Sequence, residues 1–289
     1  MKISATTVMI PDLDMAQTAQ LLSQLGFDGA EWRCRHIPDS QRKQPFSPWG
    51  NVKNDFSPDN LLERGEELVA VSKQFGLDIA GLATNMGANQ LDEVRKVAEG
   101  CAKWGIRMFR LGAPRGYDRN ENYRDLVDDT IRSFEEALKV TREYGVRVVL
   151  EIHRRTVSCS ASQAYLVVRE FDPKDIGVIF DIANMSLGEG HEPTKMGLDL
   201  LGDYVAHVHA GGGRVAPGDR MESGQLSWKW DTCDLCDSVI DVAQFYSELA
   251  AMGYEGYISV EDFRTMPIKE KLDTQLAYLR SLQKTHKGA

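Results

Sequence analysis

The stretch Leu138-Lys139-Val140-Thr141-Arg142-Glu143-Tyr144-Gly145-Val146-Arg147-Val148-Val149-Leu150-Glu151-Ile152 decides the fold. Upstream of it, Val127, Ile131, Phe134 and Leu138 recur at helical spacing and form one apolar stripe. Gly145 follows as the residue able to close that helix in a left-handed conformation. Val148 to Ile152 is then an apolar run of strand length that carries a carboxylate, Glu151, at its end. One helix, one glycine, one strand is the unit.

The unit recurs. Leu25-Gly26-Phe27, Phe75-Gly76-Leu77, Trp104-Gly105-Ile106 and Met252-Gly253-Tyr254 repeat the apolar–Gly–apolar punctuation. Leu61, Leu68, Val71, Phe75 and Val94, Val97, Cys101, Trp104 repeat the stripe. Ser57-Pro58 reads as the cap and first residue of the helix that ends at Gly76. Strands are predicted at Gly29–Trp32, Asp78–Leu82, Met108–Leu111, Val148–Ile152 and Tyr257–Glu261, with three more at Ile3–Ile10, Gly177–Asp181 and Val205–His209. Alternating β and α units imply parallel strands joined by right-handed crossovers. Eight of them in this length predict a single α/β domain over residues 1–289, a (β/α)8 TIM barrel with a parallel eight-stranded core; a doubly wound sheet is the runner-up. Two long connections, about 33–55 and 211–237, follow strand C-termini and are expected to be lid loops.

Composition narrows the function classes. The 289 residues carry 34 Lys+Arg against 43 Asp+Glu, a net charge of −9, which argues against a non-specific grip on nucleic acid or an anionic membrane. Five cysteines are too few and too odd for a secreted disulfide framework, and Met1–Thr7 turns polar at once, so a reduced, cytoplasmic chain is expected. Cys233-x-x-Cys236 stands without a second pair and is a weak zinc or redox signal.

Four consecutive strands end in metal-ligand residue types: the fifth at Glu151, the sixth at Asp181, the seventh at His209 and the eighth at Glu261. Any one of them alone could equally be a helix cap or an ion-pair partner. In a parallel barrel all four share one rim, and three buried carboxylates together are costly unless a cation or protons intervene. Three oxygens and one imidazole suit one divalent metal ion, with Mn²⁺, Mg²⁺, Co²⁺ and Zn²⁺ as candidates. His207, two residues short of His209, reads as a barrel-interior histidine. Trp228 and Trp230 in the second long connection are candidates to stack on a sugar face or to anchor that segment. Arg33, Arg35 and His36 follow the second strand and either reach substrate oxygens or pair locally.

Glu151-Ile152-His153, Val178-Ile179-Phe180-Asp181, His207-Val208-His209 and Ile258-Ser259-Val260-Glu261 resemble the metal motifs of the xylose-isomerase-like TIM-barrel superfamily. Gly26-Phe27-Asp28-Gly29-Ala30-Glu31 is similar to the second strand of its sugar phosphate isomerase/epimerase branch. The resemblance implies one divalent metal, Mn²⁺ first, held by Glu151, Asp181, His209 and Glu261. It makes Glu151 and Glu261 the catalytic acid/base pair on opposite faces of the substrate, and His153 and Arg214 substrate contacts. Asn184 stands where epimerases of the branch often carry a His three residues beyond the metal Asp, and is taken as a substrate contact as well. The branch's frequent His-x-Lys-Asp is replaced by His209-Ala210-Gly211-Gly212, whose glycines allow close backbone approach or a hinge.

Such a site suits proton abstraction α to a carbonyl with an enediolate intermediate. The expected activity is therefore a divalent-metal-dependent isomerase or epimerase of a small sugar or keto-sugar in carbohydrate metabolism. The alternative is a metal-dependent lyase or dehydratase on an oxidised sugar, inosose or 3-oxo-glycoside; a non-catalytic sugar-binding barrel ranks below both. The related DNA-repair branch, with several zincs, is disfavoured by the charge and the few histidines outside the site. The expected partner is a small carbohydrate, with no nucleic acid and no membrane; homo-oligomerisation is left open.

Overall fold

The computed structural model describes residues 1–53, 56–187 and 192–287. Its strands are β1 (Lys2–Thr6), β2 (Gly29–Arg33), β3 (Asp78–Ala83), β4 (Met108–Arg110), β5 (Arg147–Glu151), β6 (Ile176–Asp181), β7 (Val205–Ala210), β8 (Gly212–Arg220), β9 (Leu226–Cys233) and β10 (Tyr257–Val260). Eight close into a barrel in the order β1-β10-β7-β6-β5-β4-β3-β2, with every barrel pairing parallel. The helices are α1 (Met15–Leu25), α2 (Asp39–Arg42), α3 (Leu61–Gln74), α4 (Leu91–Trp104), α5 (Tyr123–Tyr144), α6 (Ala161–Val168), α7 (Ile182–Ser186), α8 (Thr194–Leu201), α9 (Val242–Ala251) and α10 (Ile268–Lys287). The main helices surround the strands, and this is the (β/α)8 barrel that the repeating unit predicts.

The glycine punctuation has its expected physical cause at Gly105 and Gly145, which close α4 and α5 at φ 68° and 64°. Between strands and helices lies the core: Val148, Leu150, Val178, Phe180, Val208, Ile258 and Val260 are buried, and Phe180 stacks on Phe245 of α9 at 5.3 Å. The opposite parity of each strand faces the barrel interior, where Ser4 donates to Ser259 at 3.0 Å and His207 and His209 meet Glu31.

Three local differences have plain reasons. β1 stops at Thr6, because Thr7–Met9 forms a 3-10 turn in place of the extended run to Ile10. α3 starts at Leu61, since Asn60 Oδ1 accepts from Ser57 N and closes a turn ahead of the helix. The segment read as a loop over 211–237 is mostly the antiparallel ribbon β8–β9, with Gly212 opposite Cys233 and Arg214 opposite Asp231. Gly211 permits the ribbon to leave β7: a Cβ there would stand 2.6 Å from Glu261 O. In the other long connection, Arg33 donates to the carbonyls of Pro48 and Gly50, and Arg35 to that of Trp49. These arginines tie the chain to itself; His36 pairs with Glu93 and Asp59. Residues 54 and 55 of that connection lie outside the described residues. Among the described residues, no helix is long and apolar enough to cross a membrane.

Candidate metal centre

The strand register assembles the site. Asp181 pairs with His209 across β6–β7, His209 pairs with Ser259 across β7–β10, and Glu261, two residues on, donates its N–H to Ala210 O at 2.9 Å. Glu151 closes β5 beside Ile179 of β6. Glu151 and Asp181 end their strands, His209 is the penultimate residue of β7 and Glu261 follows the last residue of β10, so backbone hydrogen bonds fix all four.

His209 Nδ1 lies 3.0 Å from Glu151 Oε1, 3.4 Å from Glu261 Oε1 and 3.5 Å from Asp181 Oδ2. One ligand atom from each of the four residues falls within 4.8 Å of all the others. On the far side of the imidazole, Nε2 sits 2.9 Å from Glu31 Oε2. That contact holds the Nε2 proton and leaves Nδ1 aimed at the carboxylates, an arrangement typical of a metal-ligating histidine backed by a carboxylate. Nδ1 is buried and makes no hydrogen bond of its own. A second ligand-type set, Glu31, His207 and His209, lies deeper; both ring nitrogens of His207 are buried without a hydrogen bond, and its Nε2 is 3.5 Å from Glu31.

The electrostatics carry excess negative charge. Burial opposes ionisation of Glu31, yet His209 and His207 hold it well below the usual carboxylate range. Burial also raises Glu151, but Arg110, with Nη1 2.8 Å from Oε2, and His209 outweigh it and bring Glu151 down to about 2. Burial pushes Glu261 up to about 8; Asp181, Glu151 and Glu31 add to the rise, against the pull of His209. Burial disfavours the His209 imidazolium, but Glu261 and Glu31 lift it well above the ordinary histidine value. Two protons thus stand in where a cation would neutralise the cluster, and the residues fit a divalent ion.

A cavity of about 220 Å³ opens over the cluster, lined by Glu151, His209 and Glu261 and by His153, Arg154, Asn184, Arg110, Trp49 and Phe263. Asn184 donates its side-chain amide to Asp181 Oδ2 and its backbone N–H, at 2.9 Å, to Oδ1. Asp181 is therefore both the cap of α7 and a member of the cluster. His153 Nδ1 is 2.8 Å from Arg154 O, and its ring faces the cavity.

The remaining expected contacts stand elsewhere. Arg214, expected at the base of a lid over the substrate, instead points outward on the ribbon and pairs with Asp231 at 3.2 Å, both side chains exposed. The antiparallel register turns it away from the cavity. Trp228 is 53% exposed on β9 and Trp230 44% exposed; Trp230 lines a neighbouring cavity and Trp228 neither of the two. Cys233 is buried and Cys236 exposed, both as free thiols.

Four contributors escaped the sequence reading. Arg110 and the backing role of Glu31 had a signal, each being a charge within a short barrel strand, but neither matches the strand-end ligand pattern. Trp49 and Phe263, whose rings pack at 4.8 Å over the cavity, had none, because loop contacts leave no periodicity.

The comparisons agree with this fold. Residues 19–282 match the sequence model of the xylose isomerase-like TIM barrel, and the chain belongs to that family. An uncharacterised protein of Methanocaldococcus jannaschii is 21% identical over 141 residues, a match that spans 48% of this chain and 44% of that relative. Among solved structures, the 3-keto-D-glucoside 4-epimerase YcjR from E. coli superposes with TM-score 0.70 at 17% identity, covering 97% of this chain and 99% of its own. The IolI protein with a bound zinc atom gives 0.72 at 16% identity, with 98% of each chain covered. The probable 3-DHS dehydratase AsbF of Bacillus anthracis gives 0.73 at 13% identity, covering 97% and 99%. At these identities the likeness is one of fold.

Proposed function

We propose that the protein is a divalent-metal-dependent isomerase or epimerase acting on a small keto-sugar, with Glu151, Asp181, His209 and Glu261 as the ligands of one metal ion. The observation that carries the reading is the convergence of these four side chains around an imidazole nitrogen that has no hydrogen bond. A bound divalent ion supplies Lewis-acid polarisation of a substrate carbonyl; Mn²⁺ is our first choice, with Mg²⁺, Co²⁺ and Zn²⁺ as alternatives.

The protein's own groups account for the proton movements. In the metal-free protein the environments drive Glu151 and Glu261 apart, to about 2 and about 8. Glu151, ionised beside Arg110, takes the proton α to the carbonyl; Glu261, ionised while it holds the metal, takes up a proton from solvent and returns it. Return to the other face of the same carbon gives an epimer, and return to the neighbouring carbon gives an isomer. Trp49 and Phe263 shelter the carbanionic intermediate from water, and His153 and Asn184 offer polar contacts to hydroxyl groups.

Loss of a β-substituent from the same intermediate gives a lyase, and one feature favours keeping that second reading. Asn184 carries no titratable proton for the substrate. The test for both is the Mn²⁺-loaded protein in D₂O with a panel of keto-sugars. Deuterium entering next to the ketone, abolished in Glu151→Gln, supports the reading; loss of water or aglycone in place of epimer selects the lyase. Exchange that persists unchanged in Glu151→Gln would refute it.

A further inference from the structure

The connection after β2 carries Trp49 over the proposed reaction centre, yet little apolar packing pins it there. Trp49 meets Phe263 and lines the cavity above Glu151, His209 and Glu261, but it is 61% exposed, and Phe46 in the same turn is 48% exposed. Burial of so little apolar surface is a weak hold on a loop.

The turn closes on itself. Gly50 N donates to Ser47 O at 3.2 Å, Ser47 N to Asn51 O at 2.9 Å, and the Asn51 side-chain amide to Gln44 O at 2.8 Å. Beyond it the chain is anchored by buried Val52 and by Lys53 N on Pro11 O at 2.7 Å. The tip between is held by two guanidiniums. Arg33 donates from Nη1 to Pro48 O at 2.8 Å and from Nη2 to Gly50 O at 3.1 Å, and Arg35 donates from Nη2 to Trp49 O at 2.6 Å. Three successive carbonyls are thus taken by two arginines, through bonds of the stronger, charge-assisted kind. Arg33 is itself fixed: it ends β2 opposite Ala83, its N–H donates to Thr7 Oγ1 at 2.8 Å, and it is 4% exposed. Neither arginine lines the cavity. Their path to the site runs through residues 48–50 and ends at the indole.

We propose that Arg33 and Arg35 are positioning residues for the reaction: they hold the 48–50 tip so that Trp49 covers the ligand cluster, and they act on turnover through Trp49. A cover so placed keeps water from the site and keeps the substrate over Glu151 and Glu261. Position 33 requires an arginine, since its planar fork meets two carbonyls at once and a lysine ammonium does not. The inference rests on the proton-transfer reading above and adds the means by which that site is closed.

The test is a double-mutant cycle on the Mn²⁺-loaded full chain in D₂O, following proton exchange beside the ketone of D-fructose, D-tagatose and D-psicose by NMR. It is built on Arg35, which is half-buried, so that folding is not at stake. Trp49→Ala and Arg35→Gln are each expected to lower kcat/KM about tenfold with Mn²⁺ affinity unchanged. Arg35→Lys, which keeps a donor for its single carbonyl, recovers most of that loss; Arg33→Lys, which cannot fork, falls as far as Arg35→Gln. Adding Arg35→Gln to Trp49→Ala lowers the rate no further, because the cover is already gone. Losses that multiply to about a hundredfold in the pair overturn the inference and leave the proton-transfer reading standing. So does a loss in Arg35→Gln matched by an equal loss of Mn²⁺ affinity, or wild-type turnover in Trp49→Ala, Arg35→Gln or Arg33→Lys. No exchange with any of the three ketoses, with Mn²⁺ shown to be bound, overturns that reading and the inference with it.

Discussion

At the scale of residues, the decisive group is His209, an imidazole whose two nitrogens face opposite duties. Nε2 is held by Glu31 and Nδ1 looks into three carboxylates. Glu31→Gln removes the charge that fixes the tautomer, and metal affinity should fall about 10–100-fold while the fold stays intact; calorimetric titration with Mn²⁺ measures this. The same cluster sets a pH dependence. In the metal-free protein Glu261 titrates at about 8 and His209 is raised well above its ordinary value, so both hold protons at neutral pH. An entering cation must displace them. Affinity should therefore rise with pH up to about 8 and weaken below it, with protons released on binding; titration in buffers of different ionisation enthalpy counts them. A pH-independent affinity with no proton release would contradict the assignment. The strand-end residues themselves were legible in the sequence, because four charged or ligand-type residues closing adjacent apolar runs need a common partner. The contribution of Arg110 was not, although it closes β4 in the same manner, because an arginine is no metal ligand and its meaning depends on Glu151 across the sheet.

At the scale of elements, one polar junction fastens the ribbon, β10 and α10. Arg264 Nη2 lies 2.6 Å from both Asp234 Oδ1 and Asp262 Oδ2; Gln275 donates to both carboxylates, and Lys271 Nζ donates to Asp262 O at 2.7 Å. Asp262 is 3% exposed, and although burial opposes its ionisation, Arg264 and Gln275 hold it below its usual value. Such a carboxylate stabilises the fold above its unfolded pKa of about 3.9, and the contribution is lost as pH falls through the lower folded value. Asp262→Asn should cost about 2–4 kcal/mol at pH 7, and the deficit should shrink in acid; denaturant unfolding at both pH values checks it. An equal deficit at pH 7 and at pH 3 would show that the ion pair is not its source. The helices were legible because burial on one face imprints a period, their ends because a left-handed glycine closes them, and the barrel strands as short apolar runs buried on both faces. The β8–β9 ribbon was not: Arg214 to Ala216 and Trp228 to Asp231 are exposed along both strands, so no apolar alternation marks it, and its register comes from backbone pairing.

At the scale of the whole molecule, closure of eight parallel strands places the ends of β5, β6, β7 and β10 side by side on one rim. A larger cavity, about 880 Å³ with Lys2, Lys73, Arg107 and Arg147 in its walls, opens among strand N-termini at the opposite mouth, away from the cluster. Barrel enzymes work at the C-terminal mouth, so size alone misdirects here. Because the four proposed ligands come from or just after four strands, bound metal would tie β5, β6, β7 and β10 together and should raise Tm. At a thousandfold excess over Kd the gain is about 4 kcal/mol, or roughly 10 °C, removed by a chelator and absent in Asp181→Asn. Calorimetric scans with Mn²⁺ and with EDTA measure it.

The central claim is that Glu151, Asp181, His209 and Glu261 hold one divalent ion. Anomalous diffraction from crystals grown with Mn²⁺ tests it most directly. The account predicts one strong peak within coordinating distance of Nδ1 of His209 and of the three carboxylates. A peak between Glu31, His207 and Nε2 of His209, or no ordered peak inside the barrel mouth, would contradict it.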